Sequence, residues 1–251
     1  MTRGRVIVWY SCGAASAVAA KLILAAEKDW PIVVAYCDLS LCEHPDSQRF
    51  LRDCEAWLGC EILKLVPPKY RHIHDVFLGE RYIVGPAGAP CSRWLKQMTR
   101  QAFQRPGDVH VFGMTAEEGR RAERIERRFA DMEFEWPLIE EGLTKQDCFR
   151  ELQAAGIQLP QMYRLGYRNN NCIGCVKGGA GYWNKIRGDF PEVFERMSQI
   201  EREIGASILR RDGGRLFLDE LDPAAGRHTP PDISCGLWCH VADEVEAAEK
   251  E

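Results

Sequence analysis

The sequence predicts an α/β protein, with a mostly parallel sheet, helices on both faces and a C-terminal cysteine-rich helical extension. Three observations carry this. Short apolar runs alternate with helix-like stretches through the first half of the 251-residue chain. The runs are apolar throughout rather than every second residue, as in strands buried on both faces. Past Pro137 the alternation stops, and Gly, Asn and Cys accumulate between two helix-like stretches.

Val6-Ile7-Val8-Trp9-Tyr10 is the first apolar run. The small residues Ser11-Cys12-Gly13-Ala14-Ala15-Ser16 follow, and Ala17 to Lys28, rich in Ala and Leu, predicts a helix. Ile32 to Cys37 reads as a second strand ending at Asp38, Asp46 to Leu58 as a helix, and Glu61 to Val66 as a third strand. Arg93 to Phe103 reads as helical, Val109 to Phe112 as a fourth strand ending at Gly113, and Ala116 to Phe129 as a helix with Ala122, Ile125 and Phe129 on one face. Helices are expected around 144–155 and 190–204. Pro223 to Pro231 reads as a flexible linker before a frayed acidic end. The expected division is 1–136 for the α/β core, 137–222 for a helical region carrying C-x-x-C, and 223–251 for a flexible tail with Cys235 and Cys239.

Composition narrows the class. Hydrophobic residues are 45% and charged residues 28%, ordinary for a globular chain and unlike collagen, coiled coils or disordered segments. No run of about 18 apolar residues occurs, so no membrane partner is expected. Met1 to Arg5 leads straight into the first strand without the apolar core of a secretory signal, so the expected location is cytoplasmic. A net charge of −4 argues against a globally basic nucleic-acid coat and leaves room for a local patch. Eleven cysteines in a reducing compartment point to a metal or a reactive thiol rather than to disulfides. Cys37, Cys54, Cys60 and Cys148 sit in apolar periodic contexts and read as small core residues. Cys12, Cys91, Cys172, Cys175, Cys235 and Cys239 lie beside glycines, prolines or turns.

In a parallel sheet, ligands bind at the carboxyl ends of the strands, where Ser11–Ser16, Asp38 and Gly113 all fall. A strand, a small-residue loop and a helix start present free backbone N–H groups and a helix dipole to an anion. The loop lacks the Gly-Lys-Ser/Thr of a Walker A motif and is not G-x-G-x-x-G. Taken alone it is equally a tight strand–helix turn. Ser11-Cys12-Gly13-Ala14-Ala15-Ser16 resembles the S-G-G-x-x-S pyrophosphate loop of the PP-loop superfamily, with Cys12 in place of the first Gly and Ala15 in place of the Asp of its ATP pyrophosphatase branch. Asp38 with Glu43-His44-Pro45 resembles the second-strand D-T-G-x-x-x-P-E region of that superfamily. Gly113-Met114-Thr115 with Glu118 and Arg121 is similar to its stretch near the nucleotide. Pro137-Leu138, Thr144, Asp147, Met162-Tyr163, Gly166-Tyr167 and Cys172 follow the pattern of its phosphoadenylylsulfate (PAPS) reductase-like family, over residues 5–185.

The resemblance implies an adenine nucleotide alpha hydrolase-like fold. It implies a site for ATP, adenylylsulfate or PAPS on Ser11, Cys12, Gly13, Ala14, Ser16, Asp38, Gly113 and Arg121, with magnesium as a companion ion that Ala15 argues against. Cys172-Ile173-Gly174-Cys175 is a C-x-x-C, which by itself fits a redox pair or half of a zinc or cluster site. Cys91, after Ala89-Pro90, stands 81 residues earlier. That order is similar to the assimilatory adenylylsulfate reductases, whose Cys-Cys and C-x-x-C hold a [4Fe–4S] cluster. Cys91, Cys172 and Cys175 are therefore the implied metal ligands. Zinc is the alternative, with Cys235 or Cys239 as a fourth ligand.

Residues 161–188 contain Arg164, Arg168, Lys177, Lys185 and Arg187 with no Asp or Glu, interleaved with Tyr163, Tyr167, Tyr182 and Trp183. This fits base stacking on tRNA or DNA, or a solvated basic face over core aromatics. Glu117 to Arg128 reads as a charged helix surface from which Arg121 and Arg124 are set aside for anion contact. Cys235-Gly236-Leu237 resembles the E-C-G-L-H tail of PAPS reductases, which makes Cys235 the implied nucleophile; a docking turn or a second ligand pair is the other reading. Together these imply an enzyme of sulfur metabolism. It would reduce adenylylsulfate with a thiol reductant, or adenylate a nucleic acid with ATP and take sulfur from a donor. A nucleotide sensor or nucleic-acid-binding accessory with structural zinc is the alternative from another class.

Overall fold

The computed structural model describes residues 4–26, 29–86, 88–211 and 213–226. Five parallel strands form one sheet in the order β3-β2-β1-β4-β5: β1 Val6–Tyr10, β2 Ile32–Cys37, β3 Leu63–Leu65, β4 Val109–Phe112 and β5 Glu133–Glu135. β1 is central, with Val6 opposite both Ile32 and Val109. Every residue of β1 is buried, as the unbroken apolar run predicts. Strand alternation splits it between two cores. Val6, Val8 and Tyr10 face a cluster with α1 (Ala14–Ala25), α2 (Asp46–Leu58) and α7 (Lys145–Ala154). Ile7 and Trp9 face Phe112, Met114, Trp136 and the Ala122 and Ile125 side of α5 (Gly119–Arg128). Arg5 seats the start of β1 by donating from Nη2 and Nε to Asp108 at 2.8 and 3.1 Å, at the head of β4.

A third cluster lies beyond the sheet. It joins α3 (Ile73–Glu80), residues 83–95 and the segment 162–221, with Trp183 and Ile200 fully buried. The main helices of that segment are α9 (Ala180–Asp189) and α10 (Pro191–Ile204), after the short α6 (Pro137–Glu140) and α8 (Gln161–Arg164). Pro191 starts α10 and left-handed Gly205 (φ 73°) stops it. A two-stranded hairpin, β6 Leu209–Arg211 and β7 Gly214–Leu216, follows. The cysteine-bearing tail, with Cys235 and Cys239, lies outside the described residues.

The differences from the sequence reading have local causes. α1 begins at Ala14 rather than Ala17, because extended Gly13 already serves as its N-cap. The stretch 93–103 divides into a π-helical turn, Ser92–Gln97, and α4, Met98–Phe103. Ala116–Phe129 divides because Thr115 and Glu118 form a capping box around a 3-10 turn before α5 starts at Gly119. β5 is missed because Glu133-Phe134-Glu135 has one apolar residue in three.

Candidate nucleotide and thiol site

The sheet order reverses between β1 and β4, and in doubly wound sheets a crevice opens at that point. A cavity of about 580 Å³ lies there, a size suited to a small ligand. Its floor is Trp9, Tyr10 and Phe112, and the loop into α1 and the segment 167–172 line it as well. Trp9 donates to His110 Nδ1 at 3.0 Å beneath the floor, and burial holds that imidazole neutral by pushing its pKa down to about 4.

Ser11, Gly13, Ser16, Gly113 and Arg121 all line this cavity. Gly13 caps α1 without a side-chain hydrogen bond, which leaves the first amides of a twelve-residue helix for an anion. The serines hold the loop's shape. Ser16 Oγ accepts from the Ser11 amide at 3.0 Å and donates to the Gly13 carbonyl at 2.9 Å. Gly113 is required for packing. A Cβ there would stand 2.6 Å from the Ser16 amide nitrogen and Cα, so only glycine lets the end of β4 pass the first turn of α1. Arg121 pairs with Glu118 at 2.8 Å.

Cys12, Ala14 and Asp38 are not among the residues that line the cavity. Cys12 and Ala14, within the loop, are fully buried. Cys12 is left-handed (φ 53°), and its thiol donates to the Ser47 carbonyl at 3.9 Å. Burial pushes that thiol's pKa well up, so it stays protonated. Asp38 does not line the cavity; it accepts from the Ser40 amide at 3.1 Å and faces Arg71 at 3.5 Å. Its neighbours Cys37 and Leu39 do line the cavity.

The cavity also gathers residues that the sequence reading did not single out for this site. Lys96, Lys145 and Asn169–Asn171 line it, and Arg168 joins them from the basic stretch. Lys145 hydrogen-bonds Asn169 and lies 5.8 Å from the centre of the Tyr163 ring. Glu43, Glu117 and Glu118 stand among these cations. Three consecutive asparagines after a Gly-Tyr turn were the available signal. Elsewhere in 161–188, Tyr182 and Trp183 are 4% and 0% exposed, and with Tyr167 at 5% they belong to the third core cluster. Arg187 is committed to the Leu218 and Leu221 carbonyls at 3.2 and 2.8 Å.

Cys172 lines the cavity, Cys175 is buried beside it, and Cys91 packs half-buried against the same apolar cluster. The Cys175 amide donates to Tyr182 Oη at 2.8 Å, and Gly174 is left-handed (φ 76°), which turns the C-x-x-C loop. Among the described residues, no three His, Cys, Asp or Glu side chains gather as a group that could hold a metal ion. The donor chemistry of Cys91, Cys172 and Cys175 fits a thiophilic metal. Cys42, passed over in the sequence, joins the thiols. Its carbonyl accepts from the Ile173 amide at 2.9 Å, and a hydrogen bond from the Cys172 thiol lowers its pKa. Burial acts oppositely on Cys37, Cys54 and Cys148, pushing each up to about 12, as befits the core role read for them.

No family model, curated protein or solved structure matches this chain. Among the described residues, no helix is long and apolar enough to cross a membrane.

Proposed function

We propose that this chain is a PAPS-reductase-like, adenine-nucleotide-binding enzyme of sulfur metabolism. One observation carries the reading: the same cavity has the open N-terminus of α1 on one wall and Cys172 on another. The α1 amides would take the phosphate or phosphosulfate end of the ligand. Lys145 and Arg168 supply cationic charge to the same cavity.

Two reactions fit this arrangement. In the first, a cysteine thiolate attacks the sulfur of adenylylsulfate or PAPS. An S–S bond forms and the sulfur–oxygen bond to the nucleotide breaks. A thiol reductant then attacks the cysteine sulfur, makes a disulfide and releases sulfite. Cys235 is the residue implied for that role. In the second, an oxygen of a nucleic acid attacks the α-phosphate of ATP, pyrophosphate leaves, and sulfide-level sulfur from a donor then displaces AMP. Cys91, Cys172 and Cys175 would hold a [4Fe–4S] cluster or zinc. Such a group would supply a Lewis-acidic or sulfide-binding centre beside the nucleotide.

A second reading has its own support. Ala15 gives the loop no carboxylate for magnesium, and the Ser16 hydroxyl is engaged within the loop. Both suit a sensor that binds nucleotide without turnover.

The test is anaerobic purification with metal analysis, followed by incubation with ATP, adenylylsulfate and PAPS. Pyrophosphate release supports adenylation, and sulfite release that stops in Cys235→Ser supports reduction. Nucleotide binding without either product establishes the sensor. About four irons per chain identifies the cluster and about one zinc the alternative. Failure to bind any of the three nucleotides overturns the proposal.

A further inference from the structure

Asn170 sits between the two walls of the cavity, and nothing in the nucleotide or thiol chemistry above uses it. It is 5% exposed. Its Nδ2 donates to the Cys12 carbonyl at 2.7 Å and to Ser47 Oγ at 3.0 Å. A carbonyl only accepts, so the bond to Cys12 fixes which end of the amide is which. Oδ1 is buried with no partner, so the side chain is held at one end only. The residue it holds is unusual: Cys12 is left-handed, where a side chain is disfavoured, and its conformation sets where the following amides of the anion loop point.

Two positions after Asn170 comes Cys172, and the Ile173 amide is bonded to the Cys42 carbonyl at 2.9 Å. Cys172 therefore lies between two ties, one to the anion loop and one to the turn after β2. Movement of the anion loop relative to the thiol segment would strand the buried Cys12 carbonyl without a donor.

We propose that Asn170 is a positioning residue that couples occupancy of the anion loop to the placement of Cys172. This rests on the nucleotide reading given above. The ligand class is a phosphate- or phosphosulfate-bearing nucleotide. When its charged end draws the loop amides toward it, the Cys12 carbonyl, the Asn170 amide and the backbone leading to Cys172 shift together.

The experiment measures ATP and adenylylsulfate binding by calorimetry and the rate of Cys172 alkylation by iodoacetamide, read by mass spectrometry. It compares ligand-free protein with protein saturated by whichever nucleotide binds. In the wild type, saturation changes the Cys172 rate. Asn170→Leu, similar in shape and without a donor, should bind about tenfold more weakly, the equivalent of one buried hydrogen bond. At saturation its Cys172 rate should match that of its own ligand-free form. Asn170→Ser, too short to bridge, carries the same prediction should the leucine variant not fold. Adding Cys12→Gly, which frees the left-handed position from its side chain, should restore affinity to the Asn170 variant but not the response at Cys172. Equal protection of Cys172 in saturated wild type and saturated variant would mean simple shielding by the ligand, and overturns the coupling alone. If the wild type binds neither nucleotide, the cavity reading falls, and the coupling with it.

Discussion

The anion loop after β1 and the thiol loop after α8 line one cavity and meet at the Asn170–Cys12 bond, and they are held in different ways. The first is set by regular structure. A buried strand and a helix fix its ends, its serine hydroxyls close it internally, and β4 passes its first turn with no room for a side chain at Gly113. The thiol loop has no helix or strand of its own between residues 165 and 179. It takes its shape from bonds to neighbours: Asn170 to Cys12, Ile173 to Cys42, and the Cys175 amide to Tyr182. Backbone geometry therefore gives rigidity on one side of the cavity, and tertiary hydrogen bonds give adjustable placement on the other.

The contrast is broken most directly at Gly113. Gly113→Ala forces a methyl group into the backbone of α1 and should cost about 3 kcal/mol in urea unfolding. A wild-type midpoint would show that the anion loop gives way as readily as its counterpart.

The next test concerns the packing that supports the thiol side. Glu201 is fully buried and accepts the Ile208 and Leu218 amides, each at 2.6 Å. Burial raises its pKa from 4.5 to about 7. The folded state thus keeps a proton that the unfolded chain releases. Stability from this group is complete below the unfolded pKa and is lost as pH rises from about 4.5 to about 7. The loss should be about 3 kcal/mol and should be absent in Glu201→Gln, as read by denaturation midpoints across this range. Stability that rises through the same window would refute it.

The smallest effect is expected at Tyr182. Tyr182→Phe removes the acceptor for the Cys175 amide while keeping the ring in the core. It should lower stability by about 1 kcal/mol and raise hydrogen exchange at that amide. Unchanged exchange would mean that the loop is held by other contacts.

The same contrast explains what could be read from the residues alone. β1, β2, β4, α2 and α10 were legible, because burial writes an apolar run or stripe directly into sequence. The anion loop was legible from small residues placed between a strand and a helix. The thiol loop was visible only as residue types. Asn170 and Cys42 owe their positions to partners 158 and 130 residues away, at Cys12 and Cys172, and no local pattern records such a pairing. Asp38 shows the converse. It ends a strand beside the crevice, but its turn directs it to Ser40 and Arg71. The basic stretch was read on charge, which does not reveal that Arg187 is spent on carbonyls or that three of its aromatic residues are core.

The sheet's two outer strands are only three residues long, and β5 reads Glu133-Phe134-Glu135. A second copy zipping onto that margin in matching register would bring carboxylates against carboxylates for the sake of a few ladder bonds. The architecture thus discourages fibre seeding at that margin, so crowded solutions of the folded protein should remain clear where a longer, uncharged border would invite stacking.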